Sequence, residues 1–262
     1  MDLLLSNPYK YLDVFLLIFV RTGSLFVSVP IFSNRNIPPI AKIGLAFFIS
    51  TIIINVTDVS APVASTDAIG FGVILIKEFF VGWLIGMCAY MVFSILTLAG
   101  QFIDYQIGFS MVNVFDPLSQ IQLTITGTFY YYLVLLMILL TNTYHFFIRA
   151  IIKSFELIPI GQVVLSSNLY DNFVGLMNQI LLISMQIAAP FFFVMLLTDV
   201  VLGILARTAP QMNLFVIGFP IKIFLGLAVM LITLNIFPAV SDIITDKLVS
   251  VINNIIKGMM PL

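Results

Sequence analysis

Charged residues are scarce in this chain. Asp, Glu, Lys and Arg make up 9% of its 262 residues, whereas 61% are hydrophobic and the mean hydropathy is +1.16. A soluble domain carries roughly 25% charged residues. The net charge is −1 and there is no basic run, which argues against nucleic acid as a partner. This composition is typical of a protein that crosses a membrane several times.

Residues of the common catalytic and metal sites are also scarce. The chain has one cysteine, Cys88, and one histidine, His145, too few for an internal disulfide or an ordinary zinc site. No nucleophile elbow or phosphate-binding loop is present, and the acids stand singly. We therefore expect no enzymatic activity, no metal and no cofactor.

Long apolar runs predict an all-α fold with about six long helices. The runs cover residues 12–29, 41–56, 69–99, 123–147, 173–205 and 214–237. The third run is too long for one upright span and has to tilt, bend or leave the membrane. Pro190 predicts a kink and Pro220 an interruption. Residues 239–257 predict an amphipathic C-terminal helix suited to a membrane surface or a partner.

The stretch between the third and fourth runs, Gly100 to Gln122, sets Phe and Met side chains among polar ones. Gly108 and Pro117 both disfavour a continuous helix through it. Two interpretations stay open. The segment is either a soft stopper held inside protein or a plain loop whose rings rest on the headgroup layer. The candidate stopper residues are Gly108, Phe109, Met111, Val112, Val114 and Phe115.

Three apolar runs carry charged and small residues at four-residue spacing. The groups are Glu78, Gly82 and Gly86; Asp199, Gly203 and Arg207; and Gly218, Lys222 and Gly226. Residues four apart share one helix face, and small residues let another helix approach closely. A charge on such a face avoids lipid, so it either pairs within the fold, contacts another subunit or lines a proton path. Arg21, inside the first run, needs a partner from elsewhere in the chain.

Residues 206–222, ARTAPQMNLFVIGFPIK, resemble the signature of the FliR/SctT family of type III secretion export-gate proteins. The matching positions are Arg207, Ala209, Pro210, Gln211, Asn213, Phe215, Gly218, Phe219 and Pro220. Shorter stretches at residues 21–32, 77–86, 99–101 and 115–117 also resemble the family. The Gly-Phe-Pro form favours the flagellar branch over the injectisome branch.

The resemblance implies a subunit, present in one copy, of a hetero-oligomeric gate built with FliP and FliQ, with the FlhB switch protein as a further partner. The gate would lie in the bacterial inner (cytoplasmic) membrane at the flagellum basal body, and unfolded flagellar proteins would pass through it. Residues 1–168 would form a FliP-like helical part, and residues 171–262 a FliQ-like helical hairpin with the amphipathic helix. Residues 106–118 would form the plug of the channel.

On this interpretation, Glu78, Asp199, Arg207 and Lys222 are candidates for ion pairs between helices or subunits. Gln211 and Asn213 would satisfy backbone groups freed where two helices break. Three alternatives remain. The chain could be a proton-coupled secondary transporter that uses Asp199 and Lys222, a scaffold without a gating loop, or an injectisome-type gate subunit.

Overall fold

A computed structural model describes residues 8–33, 37–56, 68–111, 124–209, 211 and 213–261. The regular elements in these ranges are all helical, which confirms the predicted all-α class. They are α1 (Pro8–Ser28), α2 (Pro30–Ser33), α3 (Pro39–Val56), α4 (Ala68–Ile107), α5 (Ile125–Leu140), α6 (His145–Leu157), α7 (Ser167–Thr208), α8 (Leu214–Thr233) and α9 (Phe237–Gly258). Two short 3-10 turns, Phe109–Met111 and Leu234–Ile236, complete them. Among these residues, five helices are long and apolar enough to cross a membrane, or six if α5 and α6 form one bent span.

Helix α4 is longer than the apolar run that predicted it. The helix does not end near residue 99 but continues to Ile107, so that its full length is 40 residues. A helix of that length measures about 60 Å, twice the ~30 Å hydrocarbon core of a bilayer. It ends at Gly108, whose φ of +98° is the left-handed conformation common after a helix. The N–H of Gly108 donates to the carbonyl of Asp104 at 3.0 Å and closes the last turn.

The apolar run predicted over residues 123–147 is divided between two helices. Helix α5 ends at Leu140 and α6 begins at His145, and together the two are long and apolar enough to form one broken span. The turn between them contains Asn142 with a φ of +58°, a conformation that Asn tolerates better than most residues. His145 therefore begins a helix, where the sequence placed it at the end of one.

The predicted interruption at Pro220 is wrong. Both Pro190 and Pro220 lie inside continuous helices, α7 and α8 respectively. Proline removes one helical hydrogen bond, which is tolerated in apolar helices because neighbouring groups satisfy the freed carbonyl. The predicted C-terminal amphipathic helix corresponds to α9, in which Ile244, Leu248 and Ile252 are buried.

The chain divides into two compact units. The first comprises Met1–Val92, Thr141–Leu176 and Thr245–Leu262. Within it α1 packs along α3, and the rings of Phe15 and Phe47 meet edge to face at 5.3 Å.

The second unit comprises Phe93–Leu140 and Met177–Ile244. Within it the Ser184 hydroxyl on α7 donates to the Ile95 carbonyl on α4 at 2.9 Å. The expected division into residues 1–168 and 171–262 concerns likeness to other proteins rather than contacts, and it stays a prediction.

Candidate functional site

Asp104 closes the base of the central segment. It lies in the last turn of α4, and 4% of its surface is exposed. The Thr126 backbone N–H donates to both carboxylate oxygens, at 3.2 and 3.3 Å, and the Thr126 hydroxyl donates to Oδ1. Thr126 belongs to the first turn of α5, where N–H groups lack partners within the helix and negative charge is stabilising. One carboxylate therefore ties the end of α4 to the start of α5.

Two glycines bring the same helices into backbone contact. A Cβ atom added to Gly100 would overlap the backbone nitrogen and Cα of Gly127. Gly100 had been assigned to the loop, but it is a contact point inside α4. With Asp104 and Thr126, this pair fixes both ends of the segment formed by residues 108–124.

Gly108 begins that segment against the ring of Phe219 on α8. A Cβ atom on Gly108 would lie 2.8 Å from Cε1 of Phe219. Phe219 belongs to the Gly-Phe-Pro stretch that carried the sequence resemblance. The structure thus brings two separate sequence signals together at one contact.

The remaining candidate plug residues are described only in part. Phe109 and the backbone of Met111 lie in a 3-10 turn. Val112, Val114 and Phe115 lie outside the described residues. The plug assignment therefore stays a prediction.

Arg21 and Glu78 form a buried ion pair in the first unit. The Arg21 Nε donates to Glu78 Oε2 at 2.5 Å, and the two side chains are 0% and 1% exposed. The Arg21 Nη1 also donates to the carbonyls of Ser154 and Ile158, at 3.1 and 3.0 Å, near the end of α6. Helix C-termini favour positive charge. The ring of Phe155 lies 4.2 Å from Arg21 Cζ.

The second carboxylate oxygen of Glu78 accepts the Gly161 N–H at 2.8 Å. One turn and two turns further along α4, Gly82 and Gly86 face α1. A Cβ atom on Gly82 would overlap the Arg21 carbonyl, and one on Gly86 would lie 2.5 Å from Ser28 Cβ. These three residues of the predicted stripe therefore contact one neighbouring region within the chain.

Asp199 and Lys222 pair across α7 and α8 in the second unit. Lys222 Nζ lies 2.5 Å from Asp199 Oδ1, with the side chains 25% and 52% exposed respectively. On the same stripe of α8, Cβ atoms on Gly218 and Gly226 would approach Leu202 and Ile107 at 3.3 and 2.5 Å. The stripe of α8 therefore packs within its own unit.

The other half of the α7 stripe is open. A Cβ atom on Gly203 would meet no described atom within 4 Å, and Gly203 and Arg207 are exposed. Arg207 forms no ion pair with a described residue. Gln211 is exposed, and the carbonyl of Asn213 accepts the Val216 N–H at 3.1 Å at the start of α8.

Sequence reasoning missed Asp104, Thr126 and the acceptors of Arg21. In the sequence, Asp104 is one of several polar residues between Gly100 and Gln122. The sequence nevertheless indicated the contact between Asp104 and Thr126. Asp104 precedes the central segment and Thr126 follows it, and a carboxylate can accept hydrogen bonds from the first turn of the helix that follows such a segment. The described residues hold no group of three His, Cys, Asp or Glu side chains that could bind a metal.

Long apolar helices, a buried ion pair and glycine-mediated helix contacts define a polytopic helical membrane protein. Comparison with known proteins narrows this class. The family described as "Bacterial export proteins, family 1" matches residues 12–248, so the chain belongs to that family.

Three relatives show how far this similarity extends. The flagellar biosynthetic protein FliR of Bacillus subtilis (strain 168) is 34% identical over 225 residues, covering 85% of this chain and 86% of the relative. The protein of the same name from Escherichia coli (strain K12) is 28% identical over 224 residues, covering 84% of each chain. That of Aquifex aeolicus (strain VF5) is 25% identical over 229 residues, covering 86% of each. The resemblance inferred from residues 206–222 is confirmed.

Proposed function

We propose that this chain is a subunit of the flagellar type III protein export gate in the bacterial cytoplasmic membrane. The observation that carries the proposal is the family match over residues 12–248 together with relatives named for flagellar biosynthesis. The chain would assemble with FliP and FliQ, and with FlhB nearby, around a channel for unfolded flagellar proteins. We assign it no catalytic step.

The partner assignment is tested by co-expressing the chain with FliP and FliQ and measuring the mass of the purified complex. We expect a large, defined assembly that contains one copy of this chain. A stable monomer or homodimer that ignores both partners would contradict the proposal. Restored swimming in a flagellar mutant that lacks the corresponding subunit would favour the flagellar role over the injectisome role.

We further propose that residues 106–118 form a plug. The geometry at the base of the segment supports this role, because Asp104, Thr126 and the Gly100–Gly127 contact hold its two ends together. Fixed ends would let a short Phe- and Met-rich segment fill a channel without drifting away from it.

Deleting residues 108–115 tests the plug. In cells that make the assembled gate, the deletion should raise ion leakage across the membrane. Deleting residues 60–66, a segment of similar length elsewhere in the chain, should not. If both deletions leave leakage unchanged while assembly is intact, the scaffold interpretation is preferred.

The transporter alternative has one observation in its favour, the Asp199–Lys222 pair inside two apolar helices. The broken helices that would suit this class do not occur at Pro190 or Pro220. Purified chain in liposomes provides the test, because proton-coupled uptake that is abolished in Asp199→Asn would establish a transporter. We expect no such uptake.

A further inference from the structure

A pocket of about 450 Å³ lies between α6 and α9 in the first unit. Its polar lining comes from three residues of the turn before α6, two of α6 and one of α9: Thr141, Asn142, Thr143, Arg149, Lys153 and Asn253. Phe146 forms part of its apolar wall. Neither the export proposal nor the sequence motifs use this pocket.

The pocket has excess positive charge. Lys153 Nζ donates to Asn253 Oδ1 at 3.1 Å, and Arg149 makes no ion pair with a described residue. Glu156 on α6 and Asp246 on α9 are exposed but do not line the pocket. Among the described residues, its two cations are therefore not neutralised by a carboxylate of the lining.

The position of the pocket indicates the edge of the bilayer. Apolar α5 ends at Leu140, and a polar turn that contains Thr141, Asn142 and Thr143 precedes α6. Helix α6 is amphipathic, with Phe147 and Ile151 buried on one face and Arg149 exposed on another. Polar residues after an apolar helix, followed by an amphipathic helix, are expected where hydrocarbon meets headgroups.

We propose that this pocket binds the phosphate of an anionic phospholipid. An Arg fork, a Lys ammonium and nearby hydroxyl groups are donors suited to a phosphate. Basic pockets between membrane helices bind acidic headgroups in the same way. Phe146 offers an apolar surface beside the phosphate for the start of the acyl chains. The proposal needs the membrane setting only and stands whether or not the chain belongs to an export gate.

The test titrates phosphatidylglycerol into the full-length chain in neutral detergent and follows bound lipid by native mass spectrometry. Phosphatidylglycerol should bind at least tenfold more tightly than zwitterionic phosphatidylcholine. Arg149→Gln and Lys153→Gln should each weaken phosphatidylglycerol about fivefold, and the double variant about twentyfold. Lys257→Gln, which removes an exposed cation of α9 outside the pocket, should change binding less than twofold.

Equal binding of the two lipids would overturn the proposal, as would an effect of Lys257→Gln as large as that of the pocket variants. Two competing ligands test whether the pocket instead binds another kind of anion. Glycerol phosphate that binds as tightly as the lipid would show a site for small phosphates. A glutamate-rich peptide that binds more tightly than the lipid would show a site for an acidic protein segment. Either result would refute the lipid assignment.

A second variant and a second measurement cover the case in which the glutamine variants do not fold. Arg149→Lys keeps the charge and should lose less affinity than Arg149→Gln. Wild-type binding should also weaken as salt is raised, because exposed charges are screened. Salt-independent binding would contradict a phosphate held by these two cations.

Discussion

Gly100 of α4 and Gly127 of α5 lie in direct backbone contact, with no room for a side chain on Gly100. Such contacts let apolar helices associate where lipid offers no hydrophobic driving force between them. Here the contact lies beside the carboxylate of Asp104, which joins the same two helices. The base of the central segment is therefore built from a close approach and a hydrogen-bonded group together.

Gly100→Ala should separate α4 from α5. The added methyl would collide with the backbone of Gly127, so we expect a loss of at least ~1–3 kcal/mol in the free energy of unfolding. Thermal unfolding of the purified chain in detergent measures it. Gly23→Ala is the matched control, because a Cβ there meets no described atom within 4 Å. It should be neutral or slightly stabilising. Equal losses in the two variants would show that the contact is not tight.

Asp104→Ala should destabilise the junction of α4 and α5. It leaves the buried N–H of Thr126 without its acceptor, at a cost of ~1–3 kcal/mol. Asp104→Asn retains an acceptor oxygen and should cost less. The control is Asp242→Ala, at an exposed position of α9, which should not shift the thermal transition. If Asp104→Ala and Asp242→Ala unfold at the same temperature, the capping role of Asp104 is wrong.

Glu78→Gln should be among the most damaging single changes to this chain. It leaves the charge of Arg21 buried without its counter-ion, which costs about 3–5 kcal/mol in comparable buried pairs. Replacing both Arg21 and Glu78 by Met should cost less than Glu78→Gln alone, since no charge is then left unpaired. The yield of monodisperse protein and its thermal transition report both effects.

Asp199→Asn, which breaks the Asp199–Lys222 pair, is the comparison for Glu78→Gln. The Asp199 carboxylate is half exposed, whereas Glu78 is buried. Partly solvated pairs contribute little to stability. The isolated chain should therefore tolerate Asp199→Asn better than Glu78→Gln. The reverse order would mean that the burial of the two pairs does not determine their importance.

Gly108→Ala combines two penalties. The left-handed backbone costs a side chain ~1–2 kcal/mol, and the new Cβ would lie 2.8 Å from Phe219. Gly161→Ala is a control for the backbone alone, because its φ is +78° but its Cβ would meet Ile74 at an ordinary 3.5 Å. We expect a larger loss of thermal stability at Gly108, partly recovered by adding Phe219→Ala. No recovery would show that the ring is not the obstacle.

Hydropathy predicted where the helices lie because the composition of an apolar span depends only on nearby residues. Hydropathy did not predict the helix ends that depend on the backbone conformation of a single residue. Gly108 terminates α4 and Asn142 separates α5 from α6, and both do so through positive φ angles. Gly100 was placed in the central stretch because the apolar run ends at residue 99, whereas the last turns of α4 include polar residues.

The helix faces were predictable, but their partners were not. Four-residue spacing placed Glu78 with Gly82 and Gly86 on one face of α4, and the structure shows these residues along one side. Spacing contains no information about which distant residue meets that face. Arg21 and Ser154 therefore emerged as neighbours of this region only from the three-dimensional arrangement.

The contacts of Arg21 can form only in a fixed order during synthesis of the chain. Its counter-ion, Glu78, lies 57 residues downstream, and its carbonyl acceptors at Ser154 and Ile158 lie 133 and 137 residues downstream. A ribosome that has made only α1 has therefore released a cation into the membrane with none of these partners available. Translation past Glu78 neutralises the charge, but the guanidinium gains its carbonyls only after α6 has emerged. The first unit consequently cannot mature segment by segment, and its N-terminal helix waits for more than half of the protein to be made.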